Sequence, residues 1–443
     1  MDCVKKSKIP LTPYQKKISY FLSSRKNRSL LVVHPTGYGK TLSAVTYSQC
    51  FLDAFPDQKV IFIGPVSLKQ NFISSLRSYG VKEDDIKKKY HIYSFQKFTN
   101  DFSDMGKTSS PDCVIDCKDN LIIIDEVHNL RNMGLGNSTT GLRAKAALSC
   151  VYRAKKILLL TATPFVNDLA DLISLTNLVH GTTIITKRSQ IRDVNSFKMY
   201  LRGYVDYIRP IFDHNYPRVI EETIRIKMPK DYEEDYCNLI RGQIVNESVF
   251  SNPRAFYNAH RRAVNKVGAG SEYFSLKMKK AISLIGNKKT LIFSNWLDFG
   301  LDPICNALDE EGYEYEGFSG RIGEAEKKRI VDNFNIDKFQ VLVVSPSGRE
   351  GISLIGVRRV IVMDPLWNYA GMLQATRRAV RYGSHSHLPP EERLVEIFYL
   401  ILETTSDNQK SGCFSGDTIV YQIVEKKKEL DGYVNKMLEE ISI

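Results

Sequence analysis

Short runs of branched apolar residues, each followed by small or polar residues and then a helical pattern, constrain this chain more than any other feature. In the first half the runs are 30–33, 60–63, 121–124 and 157–160; in the second they are 291–293, 341–344, 360–363 and 395–400. Runs so short and so uniformly apolar suit strands buried on both faces. Strands alternating with helices assemble into parallel sheets through right-handed βαβ crossovers. An α/β fold of mainly parallel sheets flanked by helices is therefore expected. Ligands of such sheets bind beyond the carboxyl ends of the strands. Residues 34–41, Gly64-Pro65, Asp125-Glu126, residues 161–164, Ser294-Asn295 and residues 345–351 all fall at those ends.

The first run leads into His34-Pro35-Thr36-Gly37-Tyr38-Gly39-Lys40-Thr41. Gly37 and Gly39 permit a tight turn with backbone angles that other residues avoid. Such a turn aims successive N–H groups at one point, and a helix opening at Lys40 adds partial positive charge there. That is a phosphate cradle of the P-loop type. Residues Thr36, Gly37, Tyr38, Gly39, Lys40 and Thr41 would line a bound nucleotide. Lys40 can reach the β- and γ-phosphates, and the Thr41 hydroxyl can hold Mg²⁺. One position departs from the pattern G-x-x-x-x-G-K-[ST]: His34 stands where the first Gly belongs. Taken alone, an ordinary Gly-rich strand-to-helix turn would read the same way.

The third run ends in Asp125-Glu126-Val127-His128, so a buried strand delivers two carboxylates. Asp125 is placed to hold Mg²⁺ beside Thr41, and Glu126 to orient or deprotonate an attacking water. An exposed acidic turn after a strand is the plainer alternative, which a phosphate loop in the same half disfavours.

The formal net charge of +12 favours a polyanionic partner such as nucleic acid, although a basic surface also serves solubility. The 8 cysteines are scattered, and no second Cys/His pair accompanies Cys113 and Cys117. Reduced thiols in a cytoplasmic compartment are expected. The N-terminus lacks the apolar core of a signal peptide, and no run approaches the roughly 20 residues that span a bilayer. A chain of 443 residues suggests two or three domains. The expected division is a first lobe at 1–186, a basic, Tyr-rich, largely helical connection at 187–270 ending in Gly268-Ala269-Gly270, and a second lobe at 271–443. Ile419, Ile423, Leu430, Val434, Leu438 and Ile441 lie on one helical face, with Asp417 as expected N-cap, and read as a helix closing the second core.

Over nearly the whole chain these motifs resemble those of superfamily 2 helicases, and Asp125-Glu126-Val127-His128 resembles their DExH box. The resemblance implies two tandem RecA-like lobes and an ATP-hydrolysing enzyme that uses Mg²⁺ and translocates on DNA or RNA. Leu11-Thr12-Pro13-Tyr14-Gln15 is similar to the Q-motif, in which Gln15 would read the adenine edge. Residues 60–65 with Lys69, and 91–95, resemble motifs Ia and Ib. Pro65, Lys69 and Ser94 would then touch the nucleic-acid backbone. Thr161-Ala162-Thr163-Pro164 is similar to motif III. Residues 291–295, 345–354 and 374–384 resemble motifs IV, V and VI, which assigns Ser294, Asn295 and Ser345 to the nucleic acid, and Gly351 to the nucleotide. Gln374, Arg378 and Arg381 fall to catalysis, the two arginines being those that reach across to the γ-phosphate. Trp367 would stack on a base or fill a core, and His128 would couple motifs by hydrogen bonding. His385 and His387 read as loop polar groups.

The finer resemblance is to the Swi/Snf-like branch, on Thr163-Pro164-Phe165-Val166-Asn167-Asp168 and Asp364-Pro365-Leu366-Trp367-Asn368. Within it, Gly203-Tyr204-Val205-Asp206-Tyr207, Phe334-Asn335 and Arg381-Tyr382-Gly383-Ser384-His385 resemble a group of large DNA viruses that includes the poxvirus nucleoside triphosphate phosphohydrolases. That implies a role in viral transcription or genome handling, a viral RNA polymerase as partner, and host cytoplasm or virion as location. A processive strand-separating helicase, and a non-catalytic nucleic-acid-binding subunit, are the alternatives.

Overall fold

The computed structural model describes residues 2–35, 37–103, 115–131, 139–165, 169–209, 215–244, 253–267, 276–346, 352–367 and 369–443. The chain divides into two compact units, Met1–Ile211 with Glu429–Ile443, and Phe212–Lys428. The Gly268-Ala269-Gly270 stretch lies outside the described residues.

In the first unit the strands are β1 (Ser29–Val33), β2 (Val60–Gly64), β3 (Tyr90–Ser94), β4 (Leu121–Ile124), β5 (Lys156–Thr161) and β6 (Val205–Tyr207). They are parallel and ordered β3-β2-β4-β5-β1-β6. Alternate residues serve the two faces, as strand geometry requires. Leu31, Val33, Ile61, Ile63, Ile122 and Ile124 belong to one core, while Leu30, Val32, Val60, Phe62, Leu121 and Ile123 belong to the other. Burial on both sides explains the uninterrupted apolar runs.

In the second unit β7 (Arg218–Lys227), β8 (Thr290–Phe293), β9 (Tyr315–Phe318), β10 (Val341–Val344), β11 (Arg359–Val362) and β12 (Leu394–Glu403) form another parallel sheet, ordered β7-β12-β11-β8-β10-β9. No helix among the described residues is long and apolar enough to cross a membrane.

Three expectations are corrected. The last helix, Gly416–Ile441, has 26 residues and so runs about 39 Å, more than one core needs. Val420 and Val424 pack in the second unit, whereas Val434, Leu438 and Ile441 enter a core of the first. Ser415 rather than Asp417 serves the helix start, its Oγ accepting from the Asp417 N–H at 3.2 Å. The Asp417 carboxylate turns inward instead, accepting from the buried Lys277 Nζ at 2.6 Å and the Leu402 N–H at 3.0 Å.

The cysteines are also not all free thiols. Cys3–Cys50, Cys117–Cys150 and Cys237–Cys413 are disulfide-bonded, and among the described residues Cys305 alone is free. Separations of 47, 33 and 176 residues hid these pairs from inspection of spacing.

Candidate active site

The β1 strand ends at Val33, and the loop that follows hands the chain to the helix Lys40–Ala54. Gly37 (φ +89°) and Gly39 (φ +71°) are both left-handed, as a phosphate-cradling turn demands. Nothing lies within 4 Å of a Cβ built on Gly37, whereas one on Gly39 would sit 2.3 Å from Gln15 Nε2. The Lys40 ammonium donates to the carbonyls of His34 (2.9 Å) and Pro35 (3.2 Å). Burial pushes its pKa down, while Glu126 and Asp125 pull it up, so these three expected catalytic groups share one electrostatic neighbourhood. Thr41 is the second residue of the helix; Thr36 and Gly351 lie outside the described residues.

Gln15 is buried beneath this loop. Its Oε1 accepts from the Thr12 N–H at 2.8 Å, and its own N–H is directed at Thr12 Oγ1, a reciprocal cap at the start of the helix Pro13–Ser23. Its Nε2 reaches the Gly39 carbonyl at 3.4 Å. Gln15 therefore supports the loop through its side-chain amide.

The histidine that replaces the usual glycine is fully buried. His34 Nε2 lies 2.8 Å from Asp206 Oδ2, and Lys17 Nζ lies 2.7 Å from the other Asp206 oxygen. Burial lowers the His34 pKa despite Asp206, so the imidazole is neutral. With Nδ1 buried and unpartnered, the tautomer that fits carries its proton on Nε2 and donates it to Asp206. For Asp206 burial works upward, but the bonds from His34 and Lys17 outweigh it and hold the carboxyl below the usual range. Neither Asp206 nor Lys17 was singled out for this role; a lone acid inside the strand Val205-Asp206-Tyr207 was the available sign.

At the end of β4, Asp125 is buried, and its Oδ1 accepts from the Glu126 N–H at 2.9 Å. Burial, and then the neighbouring Glu126 charge, raise the Asp125 pKa against the pull of Lys40. Glu126 is left-handed at φ +50°, unusual for a residue with a side chain. Its carboxylate stands 3.3 Å from His128 Nδ1. That nitrogen also lies 3.1 Å from Thr161 Oγ1 and 3.3 Å from Thr163 Oγ1. The imidazole thus ties the acidic turn after β4 to Thr161 at the end of β5 and to Thr163 just beyond it. Asp125 and Thr41 offer hard oxygen donors of the kind Mg²⁺ takes together with substrate phosphates. Among the described residues no group of three or more His, Cys, Asp or Glu side chains forms a metal site.

Pro65 follows β2, Ser94 is the last residue of β3, and Lys69 lies in the helix Val66–Tyr79. Ser94 Oγ accepts from the Lys97 N–H at 3.2 Å.

In the second unit Ser294 is fully buried, donating to Asp364 Oδ2 at 2.7 Å, and the Asn295 N–H reaches the same oxygen at 2.8 Å. Ser345 is buried at the end of β10. The Arg261 guanidinium stacks near both tryptophan rings, 5.1 Å from Trp296 and 5.2 Å from Trp367, a contact that spacing does not reveal.

Gln374 lies in the helix Tyr369–Thr376. Arg378 is directed at the Ile352 carbonyl at 3.4 Å. Arg381 has its Nε buried without a partner, and burial lowers its pKa. His385 lies in a turn, as expected of a loop polar group. It is buried, with Nδ1 2.9 Å from Ser384 Oγ and Nε2 2.7 Å from the Val357 carbonyl, because the turn folds back onto the sheet end.

Comparison with known proteins gives these motifs a family. Residues 8–166 match the family described as type III restriction enzyme, res subunit, and residues 276–383 match the helicase conserved C-terminal domain. A protein of Acanthamoeba polyphaga mimivirus named as an ATP-dependent RNA helicase is 30% identical, over 98% of this chain and 98% of its own length. Nucleoside triphosphatase I of Melanoplus sanguinipes entomopoxvirus is 24% identical, over 98% of this chain and 79% of its own. Among solved structures, the Pyrococcus furiosus Hef helicase domain is similar over 90% of this chain and 97% of its own, with a TM-score of 0.47 and 20% identity. The chain belongs to the superfamily 2 helicases, ATP-hydrolysing enzymes of helicase-like, nucleic-acid-dependent action, alongside relatives from large DNA viruses.

Proposed function

We propose that this chain is a motor that spends ATP to translocate on DNA or RNA in viral transcription or genome handling, acting in the host cytoplasm or the virion beside a viral RNA polymerase. The observation that supports it best is the convergence of Lys40, Asp125 and Glu126 on one neighbourhood at the carboxyl end of the first sheet. In this reading the loop at Gly37 and Gly39 turns its N–H groups to the phosphates, and Lys40 exchanges the carbonyls of His34 and Pro35 for phosphate oxygens. Thr41 and Asp125 hold Mg²⁺, which when bound neutralises charge on the phosphates. Glu126 orients the attacking water and takes its proton. Gln374, Arg378 and Arg381 serve the same reaction, the arginines supplying positive charge as the transition state forms.

Pro65, Lys69, Ser94, Asn295 and Ser345 are proposed as backbone contacts to the strand. Such contacts predict sequence-tolerant, salt-sensitive binding. Ser294 enters this reading as a support for Asn295 through Asp364, and Trp367 as a platform held by Arg261.

ATP hydrolysis measured alone and then with single-stranded DNA, duplex DNA and RNA tests the motor. Stimulation by at least one polymer, lost in Arg381→Ala with ATP binding kept, is the expected result. Equal turnover in all four conditions, or normal turnover in Arg381→Ala, would overturn it.

A further inference from the structure

The first unit carries a cavity of about 570 Å³ that the ATPase reading does not use. It lies at the amino ends of β1 and β5, where Arg28 precedes Ser29 and where Lys156 begins its strand. The phosphate loop follows the opposite end of β1. The helix Lys40–Ala54 begins at that loop and brings Phe51 and Ala54 to the cavity wall.

Its walls have two characters. Leu22, Phe51 and Phe55 provide an apolar side; Arg25, Arg28, Lys155 and Lys156 provide a cationic one; among the described residues no carboxylate lines it. Lys156 is 7% exposed, and its ammonium donates to the main-chain carbonyls of Ser24 (2.9 Å) and Asn27 (2.5 Å). The Arg28 guanidinium likewise donates to carbonyls, those of Val151, Tyr152 and Ala154, at 2.8 to 3.0 Å. Lys155 Nζ lies 4.6 Å over the Phe55 ring, again without a carboxylate. Burial lowers the pKa of both Arg28 and Lys156, and the like charge of Lys155 lowers that of Lys156 further. Buried charge is ordinarily paired. Carbonyl dipoles satisfy the N–H groups here but leave the net positive charge uncompensated.

We propose that this cavity binds an organic phosphate, its phosphoryl group set among the Arg25, Lys155 and Lys156 cations and its ring against Phe55. The volume falls in the range of small-molecule sites, roughly 300–1,000 Å³. An aromatic wall beside cations suits a flat ring carrying a phosphate. The site goes beyond the motor reading and does not depend on it.

Calorimetric titration of the full chain carrying Lys40→Ala, with adenosine 5′-monophosphate, adenosine and inorganic pyrophosphate in turn, tests it. The monophosphate is expected to bind, and to bind at least tenfold more weakly once Arg25→Glu and Lys155→Glu are added. Adenosine and pyrophosphate are each expected to bind at least tenfold more weakly than the monophosphate. Arg25 is exposed and Lys155 is partly so, and basal ATPase retained by Arg25→Glu/Lys155→Glu with Lys40 intact certifies folding. Monophosphate affinity unchanged by the charge reversals would place that ligand elsewhere and overturn the site. No binding at all, or pyrophosphate binding as tightly as the monophosphate, would also overturn the proposal.

Discussion

His34 Nε2 and Asp206 Oδ2 stand 2.8 Å apart in a pair with almost no solvent exposure, which fastens the phosphate loop to the edge strand β6. The same histidine offers its carbonyl to Lys40 at 2.9 Å, so the pair holds a backbone group that holds the phosphate-binding lysine. Asp206→Ala strands the imidazole without its acceptor, while Lys17 keeps the Ile443 carbonyl. It should cost about 3 kcal/mol in urea unfolding, the scale for breaking a buried pair, and raise the KM for ATP more than it lowers kcat. His34→Gly/Asp206→Ala should cost less than the two single losses added, because removing both partners leaves no unpaired imidazole. Strict additivity would mean the two residues act independently.

Glu126 separates strain from chemistry. Its left-handed backbone, φ +50°, costs a residue with a side chain about 1 kcal/mol or more. Glu126→Gly should therefore fold with stability equal to or up to about 1 kcal/mol above the parent while losing turnover. Glu126→Gln should keep ATP binding and lose turnover at least about 100-fold, the lower scale of general-base catalysis. Thermal unfolding and steady-state ATPase on the same preparations check both. Turnover surviving in Glu126→Gln removes the proposed base.

How far the fold was legible follows strand position. All the apolar runs picked out from the sequence became interior strands; β3, β6, β7 and β9, which were not read as strands, are the four sheet edges. An edge strand needs fewer apolar residues and gains from charge that discourages further pairing. In β7, Arg218–Lys227, acidic and basic residues interrupt the apolar pattern, and most of the strand is exposed. β6 spans only three residues. The site divides in the same way. Lys40, Asp125 and Glu126 announce themselves because each follows a buried strand within a short motif. The partners Asp206 and Arg261 sit in segments whose own pattern does not point to the residues they meet, and they are brought into place by packing that no local pattern encodes.

The two glycines of the loop should respond differently to the same change. Gly37→Ala meets only the backbone penalty of positive φ, about 1 kcal/mol, since no described residue lies within 4 Å of the added Cβ. Gly39→Ala adds a contact at 2.3 Å with Gln15 Nε2, so its loss should be larger and its KM for ATP higher by tenfold or more. Gln15→Ala combined with Gly39→Ala should recover the steric part and leave the φ part. ATPase and unfolding measured across the set check this, and equal losses at the two glycines would count against it.

Asp431, in the segment of the last helix that belongs to the first unit, gives a stability effect with a defined sign. Burial pushes its carboxyl up to about 6, although Asn435 Nδ2, 2.8 Å from Asp431 Oδ2, favours the charged form. An unfolded aspartate titrates near 4, so between about pH 4 and 6 the folded chain holds a proton that the unfolded chain releases. The contribution of this group is therefore greatest below pH 4, is lost as pH rises through 6, and stays lost above it. Asp431→Asn keeps an oxygen to accept from Asn435 and carries no charge at any pH. It should match the parent near pH 4 and exceed it at pH 8 by about 1 kcal/mol, the full shift being discounted for partial solvent exposure. Urea unfolding of both proteins at the two pH values reads the difference directly, and a gap that does not widen with pH would show that the carboxylate is hydrated in the folded chain.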